Sequence, residues 1–359
     1  MKHIYKVMLL LIISLGVIGC GGDNAYDGET GLLSSGTASQ SSIDESINSI
    51  YTNVILQDIN ATYEKSLVLL SSVKDLNETN SSATLLSAQE AFKTLALSYK
   101  KVESAYVAGR ESDDMRDIAD FYLEQFIFNS KGDTLFTDLE KIFDGTGSLY
   151  KNSHKGITAL EYTLFDRNIS SSDMLVKMNT IRLSSSVEIA ETISQNLLLV
   201  KEYYENDSKF LEDSDTAISL VLNQLVDNAY KLKEKRIGDG GGFTINFVNN
   251  PDATRLEYYK SINSLEAIKT ILTTHKNIMD SGLSAIATLG SASSEAQAIV
   301  TKLDEALAIC DSYTSSLESD LTSSKTLELY NAAAILQNNY TALINGLNFE
   351  QDLLEADGD

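Results

Sequence analysis

Proline occurs once in this chain of 359 residues, at Pro251. Proline removes a backbone donor and clashes with the preceding turn, so its near-absence leaves long helices unopposed. Abundant Ala, Leu, Ser, Glu and Lys point the same way. The apolar spacing agrees with helix and not with strand. Leu85, Ala88, Phe92, Leu95, Tyr99, Val102 and Tyr106 follow one another at intervals of 3, 4, 3, 4, 3 and 4. Leu329, Ala333, Leu336, Tyr340, Leu343 and Leu347 run at 4, 3, 4, 3 and 4. Each series is one apolar face of a helix in a bundle. Looser stripes cover residues 46–71, 172–206, 215–235, 261–290 and 294–320. Alternating polarity is confined to Phe243–Val248, which reads as an extended loop. The expected fold is all-α.

The N-terminus sets the expected compartment. Lys2 and Lys6 precede an apolar run from Val7 to Ile13, and Val17-Ile18-Gly19-Cys20 follows. The run is short for a membrane span, so residues 1–19 read as a lipoprotein signal peptide with Cys20 as the lipidated residue. The membrane is then a partner through the lipid. Gly21 in place of Asp favours the outer membrane, facing the periplasm. Residues 20–43 are Gly, Ser, Thr and Asp with little to bury, the composition of a flexible tether.

The chain carries 28 basic and 51 acidic residues, a formal charge of −23. Without a basic stripe or aromatic-basic platform, this excludes nucleic acid as a partner. Once Cys20 is lipidated only Cys310 remains, which excludes an internal disulfide. Cys310 shares a stripe with Ile299, Leu303, Leu307, Tyr313 and Leu317 and reads as a buried small hydrophobe. Asp113, Asp114 and Asp117 lack EF-hand spacing and read as a solvated helix start. The glycines of Gly238–Asp252 lack the Lys-Ser/Thr of a phosphate loop and read as an irregular segment. At roughly 100–200 residues per domain, two helical bundles are expected, 44–210 and 211–359, meeting near 207–214.

The stretch KGITALEYTLFD (155–166) has two readings. Thr158 and Glu161 have the spacing of a capping box, with Ile157 and Tyr162 as a hydrophobic staple. Alternatively, they face a polar site. Glu103 stands at the edge of the first apolar seam, where a carboxylate is paired, hydrogen-bonded or functional.

Residues 86–110 (LSAQEAFKTLALSYKKVESAYVAGR) followed by KGITALEYTLFD resemble the imelysin family of bacterial envelope proteins. The family pattern is Gly-x-His-x-x-Glu with an acidic residue on an earlier helix. Gly156 and Glu161 match, as do Tyr162, Leu164 and Phe165, while Thr158 stands at the His position. Ala88, Gln89, Ala91, Phe92, Tyr99 and Glu103 fit upstream, with weaker matches at Arg182 and KEKRIG (233–238). The resemblance implies two packed helical bundles and a metal site. Glu103 and Glu161 would be its ligands, beside Gly156, Thr158 and His154, with a divalent or ferric ion as cofactor. It also implies kinship with metallopeptidases, an iron-uptake component and an alginate-binding protein. A threonine hydroxyl is a poor transition-metal ligand and no general base. His154, four residues before Thr158, could substitute only on a continuous helix. His275 stands alone, and neither HExxH nor an assignable Ser or Cys nucleophile supports hydrolysis. The expected function is that of a lipid-anchored periplasmic binding protein serving metal acquisition or an envelope partner protein. A family metallopeptidase is the alternative.

Overall fold

A computed structural model of the protein describes Leu32 and residues 39–123 and 134–351. The expected signal peptide, residues 1–19, and Cys20 lie outside the described residues. Helices account for the ordered elements, and no β-strand occurs among the described residues. The long ones are α1 (Gln40–Ile50), α2 (Gln57–Glu78), α3 (Ser82–Ser104), α4 (Leu135–Phe143), α5 (Ile157–Leu164), α6 (Thr180–Asn206), α7 (Ser214–Lys231), α8 (Ser264–Ile278), α9 (Ser293–Asp311) and α10 (Ser324–Gly346). Both seams expected from the sequence are buried, on α3 and on α10, with Tyr106 and Leu347 just beyond the helix ends. Their 3-and-4 spacing places each apolar residue one turn above the last, on a single face.

In the first half α2 packs on both α3 and α6; in the second α10 packs on α7 and α9, and α8 on α9. The halves interleave. Helix α8 also packs on α3, while α1 packs on α7 and on the turn Met279–Leu283. The tether expected to run to residue 43 ends earlier, because α1 begins at Gln40 and buries Ile43, Ile47 and Ile50. Within that stretch Leu32 is buried, and its N–H donates to Asp215 Oδ1 at 3.3 Å.

The Gly-rich segment is more ordered than its composition implies. Helix α7 continues through a π-turn at Leu232–Gly238 and a last helical turn at Asp239–Gly241. It stops at Gly242, whose φ of +72° is a left-handed conformation that glycine adopts without steric cost. Phe243–Val248 holds a short 3₁₀ turn, Ile245–Phe247. Asp113, Asp114 and Asp117 are exposed, with Asp113 paired to Arg116 at 2.6 Å. Cys310 is buried, and burial pushes its thiol up to about 12. No helix among the described residues is long and apolar enough to cross a membrane.

Candidate functional site

Helix α5 carries the opening half of the site. It starts one residue before Thr158: Gly156 is the N-cap, and no side-chain cap bond forms. The capping box expected from Thr158 and Glu161 is therefore absent, for two reasons. Gly156 is pressed against the backbone of Tyr122, where an added Cβ would stand 2.3 Å from the carbonyl oxygen. That approach fixes where the helix begins. Glu161, in turn, has better donors elsewhere. Tyr162 does not staple the helix start but stacks on Phe136, with ring centroids 4.5 Å apart. Gly156→Ala is expected to destabilise the fold by about 1–3 kcal/mol, because backbone rather than a flexible side chain must move. Urea denaturation of the two proteins side by side measures it.

The far end of α5 explains two other residues singled out in the sequence. Arg182 is buried and donates to the carbonyls of Thr163 (3.0 Å) and Tyr162 (2.8 Å). Gln89 donates to the carbonyl of Leu164 at 2.7 Å. These are the last-turn acceptors that a helix cannot satisfy internally. Arg182 and Gln89 thus hold α5 in place between α3 and α6.

Glu161 is buried and accepts the N–H (2.9 Å) and hydroxyl (2.6 Å) of Ser261, both on Oε1. Burial raises its pKa more than these donors and Lys260 lower it, and Glu257 adds to the rise. The net result is about 7. Ser261 belongs to an irregular strap, residues 256–263, laid across α3 and α5. Tyr258 and Ile262 in the strap take φ of +61° and +55°. Side chains other than glycine adopt that region at an energetic cost, so the surrounding contacts must hold the strap in place.

Glu103 sits at the other end of the strap in a closed ring of charge. Its Oε1 is paired with Arg236 Nη2 and its Oε2 with Lys100 Nζ. Glu257 of the strap completes the ring, with Oε1 on Lys100 Nζ at 2.6 Å and Oε2 on Arg236 Nε at 2.8 Å. All four side chains are buried. Burial would raise the Glu103 pKa, but Arg236 and Lys100 outweigh it and hold the carboxyl at about 2. The π-turn at Leu232–Gly238 carries Arg236 to this position. Such turns re-aim side chains that a regular helix would direct elsewhere. Lys100 also lies over the rings of Tyr99 and Tyr258, at 5.5 and 5.4 Å from their centroids. The Tyr258 hydroxyl is buried with no hydrogen-bond partner.

This arrangement does not fit a metal centre built on Glu103 and Glu161. Both Glu103 oxygens are committed to cations, Glu161 directs Oε1 to Ser261, and two positive side chains stand where an ion would be repelled. Among the described residues no group of three or more His, Cys, Asp or Glu is placed to hold a metal. His154 is not drawn in by α5. It sits on a separate 3₁₀ turn, Asn152–Lys155, buried with both ring nitrogens lacking hydrogen bonds. Its Nε2 lies 3.6 Å from Asp138 Oδ2. Burial first, then the nearby Lys151, lower its pKa despite Asp138. His275 is buried in the second half. Its Nε2 donates to Asn228 Oδ1 and its Nδ1 accepts from the Tyr340 hydroxyl, each at 3.0 Å.

Lys100, Glu257, Tyr258 and Ser261 join the candidate site without having been singled out in the sequence. Arg236 was visible only as part of KEKRIG. Only Lys100 carries a signal: three residues before Glu103, it shares that side of α3. Glu257 and Ser261 lie in a stretch without periodicity.

No curated protein sequence matches the chain. An imelysin-like protein from Psychrobacter arcticum 273-4 has a similar structure, with a TM-score of 0.66 and 14% identity, covering 88% of this chain and 98% of that one. A provisionally named iron-regulated protein A precursor from Parabacteroides distasonis ATCC 8503 is similar at a TM-score of 0.66 and 15% identity, covering 86% and 96%. The family model for imelysin (peptidase M75) matches residues 55–347, most of the chain and both halves of the ion-pair ring. The protein belongs to the imelysin family.

Proposed function

We propose that the protein is a lipid-anchored, periplasm-facing imelysin that acts by binding and has no peptidase activity. The supporting observation is the state of its two site carboxylates. Glu103 is locked between Lys100 and Arg236, and Glu161 is bonded to Ser261. A hydrolytic metal would need open carboxylates and an imidazole or its equivalent to hold it and activate a water. Thr158 supplies neither. Metal acquisition is the setting we propose, with an envelope protein as partner. One structural neighbour bears the name of an iron-regulated protein, which says nothing of a bound ion. In this reading Glu103 and Glu161 order the fold around the strap and are not ligands.

The test is direct. Purified protein, without its signal peptide, is incubated with unfolded polypeptides, with and without a chelator, beside Glu161→Gln. The expected result is no cleavage above background in any sample. Proteolysis that stops with chelator and is missing in Glu161→Gln would establish the metallopeptidase alternative.

A further inference from the structure

Leu32 is seated at the end of the molecule where α7 begins. Its side chain is buried, and its N–H donates at 3.3 Å to Oδ1 of Asp215, itself buried in the first turn of α7. The seat is the turn at Gly290, where an added Cβ would displace both Leu32 and Leu347. The start of α1 comes to the same end, where Asp44 Oδ1 accepts from the Ser214 hydroxyl at 2.6 Å. Helix α7 and its continuation run from here to Gly241. At about 1.5 Å per residue, Arg236 stands about 30 Å along it and Gly242 about 40 Å. Arg236 holds Glu257 of the strap, so the strap lies toward the far end. We infer that the end built from Leu32, Asp215, Gly290 and Leu347 faces the lipid surface, and that the strap end faces away from it. The inference rests on the lipid-anchored reading, with Cys20 as the acylated residue.

Chain length decides the orientation. Only residues 21–31 separate Cys20 from Leu32. Drawn taut, they place Leu32 no more than about 40 Å from the lipid. Without the seat, the free length would run on to α1, which begins at Gln40, and the limit would rise to about 70 Å. Gly242 stands about as far from Asp215 as the taut segment is long, so the strap end meets the lipid only at full extension. Full extension removes nearly all of a chain's conformational entropy, whereas the pose with Leu32 near the lipid leaves it free. The strap is then open to partners arriving from the aqueous side.

The experiment uses energy transfer from tryptophan, a residue the chain lacks. The protein without residues 1–19 is coupled through the Cys20 thiol to a maleimide-headgroup lipid, in phosphatidylcholine vesicles that carry a dansyl-headgroup acceptor. Cys310, buried with its thiol pushed up to about 12, does not compete. The donor is placed by Asn345→Trp, exposed in the last turn of α10 beside the seat, or by Ile245→Trp, 90% exposed just beyond Gly242. Transfer to the lipid is expected to be several-fold stronger from position 345 than from position 245. Adding Leu32→Asp, whose carboxylate is unfavourable in a buried seat beside Asp215, is expected to lower the transfer from position 345. Equal transfer from the two positions, or stronger transfer from 245, would overturn the inference. So would transfer from 345 that is indifferent to Leu32→Asp. The coupling supplies the lipid, so the outcome does not depend on whether cells acylate Cys20. The mass of the protein recovered from cell membranes reads that separately, and the two can fail apart.

Discussion

Arg236→Met is expected to cost the folded state about 3–5 kcal/mol, the usual loss when one partner of a buried ion pair is removed. The substitution leaves Glu103 and Glu257 with Lys100 alone between them, one negative charge in excess inside the protein. Methionine fills much of the space, so the loss is electrostatic more than steric. The ring itself need not be stabilising. Burying four charges costs desolvation energy that their mutual attraction about offsets, and apolar replacements of whole buried networks are often neutral. Arg236→Met/Glu257→Gln, which leaves the Lys100–Glu103 pair neutral, is therefore expected to be less destabilised than the sum of its single changes. A coupling of about 1–3 kcal/mol is expected in the double-mutant cycle. Urea denaturation followed by circular dichroism measures all four proteins. Additive losses, or a loss under about 1 kcal/mol for Arg236→Met, would mean that the ring is solvated and not a closed unit.

Glu161 produces the second large effect, in pH. Its pKa in the folded protein, about 7, lies above the ordinary 4.5. The native state holds this proton more tightly than the unfolded chain does. The resulting stability is complete below about pH 4.5 and is lost as the pH rises through about 7. At 1.36 kcal/mol per unit, the loss is on the order of 3 kcal/mol. Glu161→Gln keeps an acceptor for Ser261 and has no proton to lose. Relative to the native protein it is expected to be near-neutral in stability at pH 5 and more stable by a few kcal/mol at pH 8. Glu103 works in the opposite sense: held at about 2, it contributes stability above its ordinary 4.5 that is lost as the pH falls toward 2. The two windows do not overlap, so the difference between native protein and Glu161→Gln isolates Glu161. A difference that stays constant from pH 5 to pH 8 would show Glu161 ionised throughout.

The fold was legible because helix periodicity is local. The seams at Leu85–Tyr106 and Leu329–Leu347 need only their own spacing to declare a buried face, and both are buried. Glu103 was legible as a carboxylate that had to be paired, since it stands beside Tyr99 and Tyr106 on that face. Its partners were not. Arg236 is 133 residues away, and Glu257 is 157 residues from Lys100. Nothing local connects them. The strap is harder still: its shape rests on left-handed backbone at Tyr258 and Ile262, residue types whose own preference is against it. The capping box failed for a related reason. Thr158 and Glu161 have the right local spacing, but contact of Gly156 with Tyr122 moved the helix start, and Ser261 took the glutamate. Tertiary contact overrode a local preference worth about 1 kcal/mol.

Isothermal titration calorimetry is the most direct test that Glu103 and Glu161 are structural and not metal ligands. The protein, without residues 1–19, is titrated with iron, zinc and calcium, beside Glu161→Gln and Thr158→His. No heat of binding at micromolar affinity is expected from the native protein with any of the three ions. Micromolar or tighter binding by the native protein that disappears in Glu161→Gln would contradict the ion-pair ring as the resting state of the site and return metal acquisition to these two carboxylates.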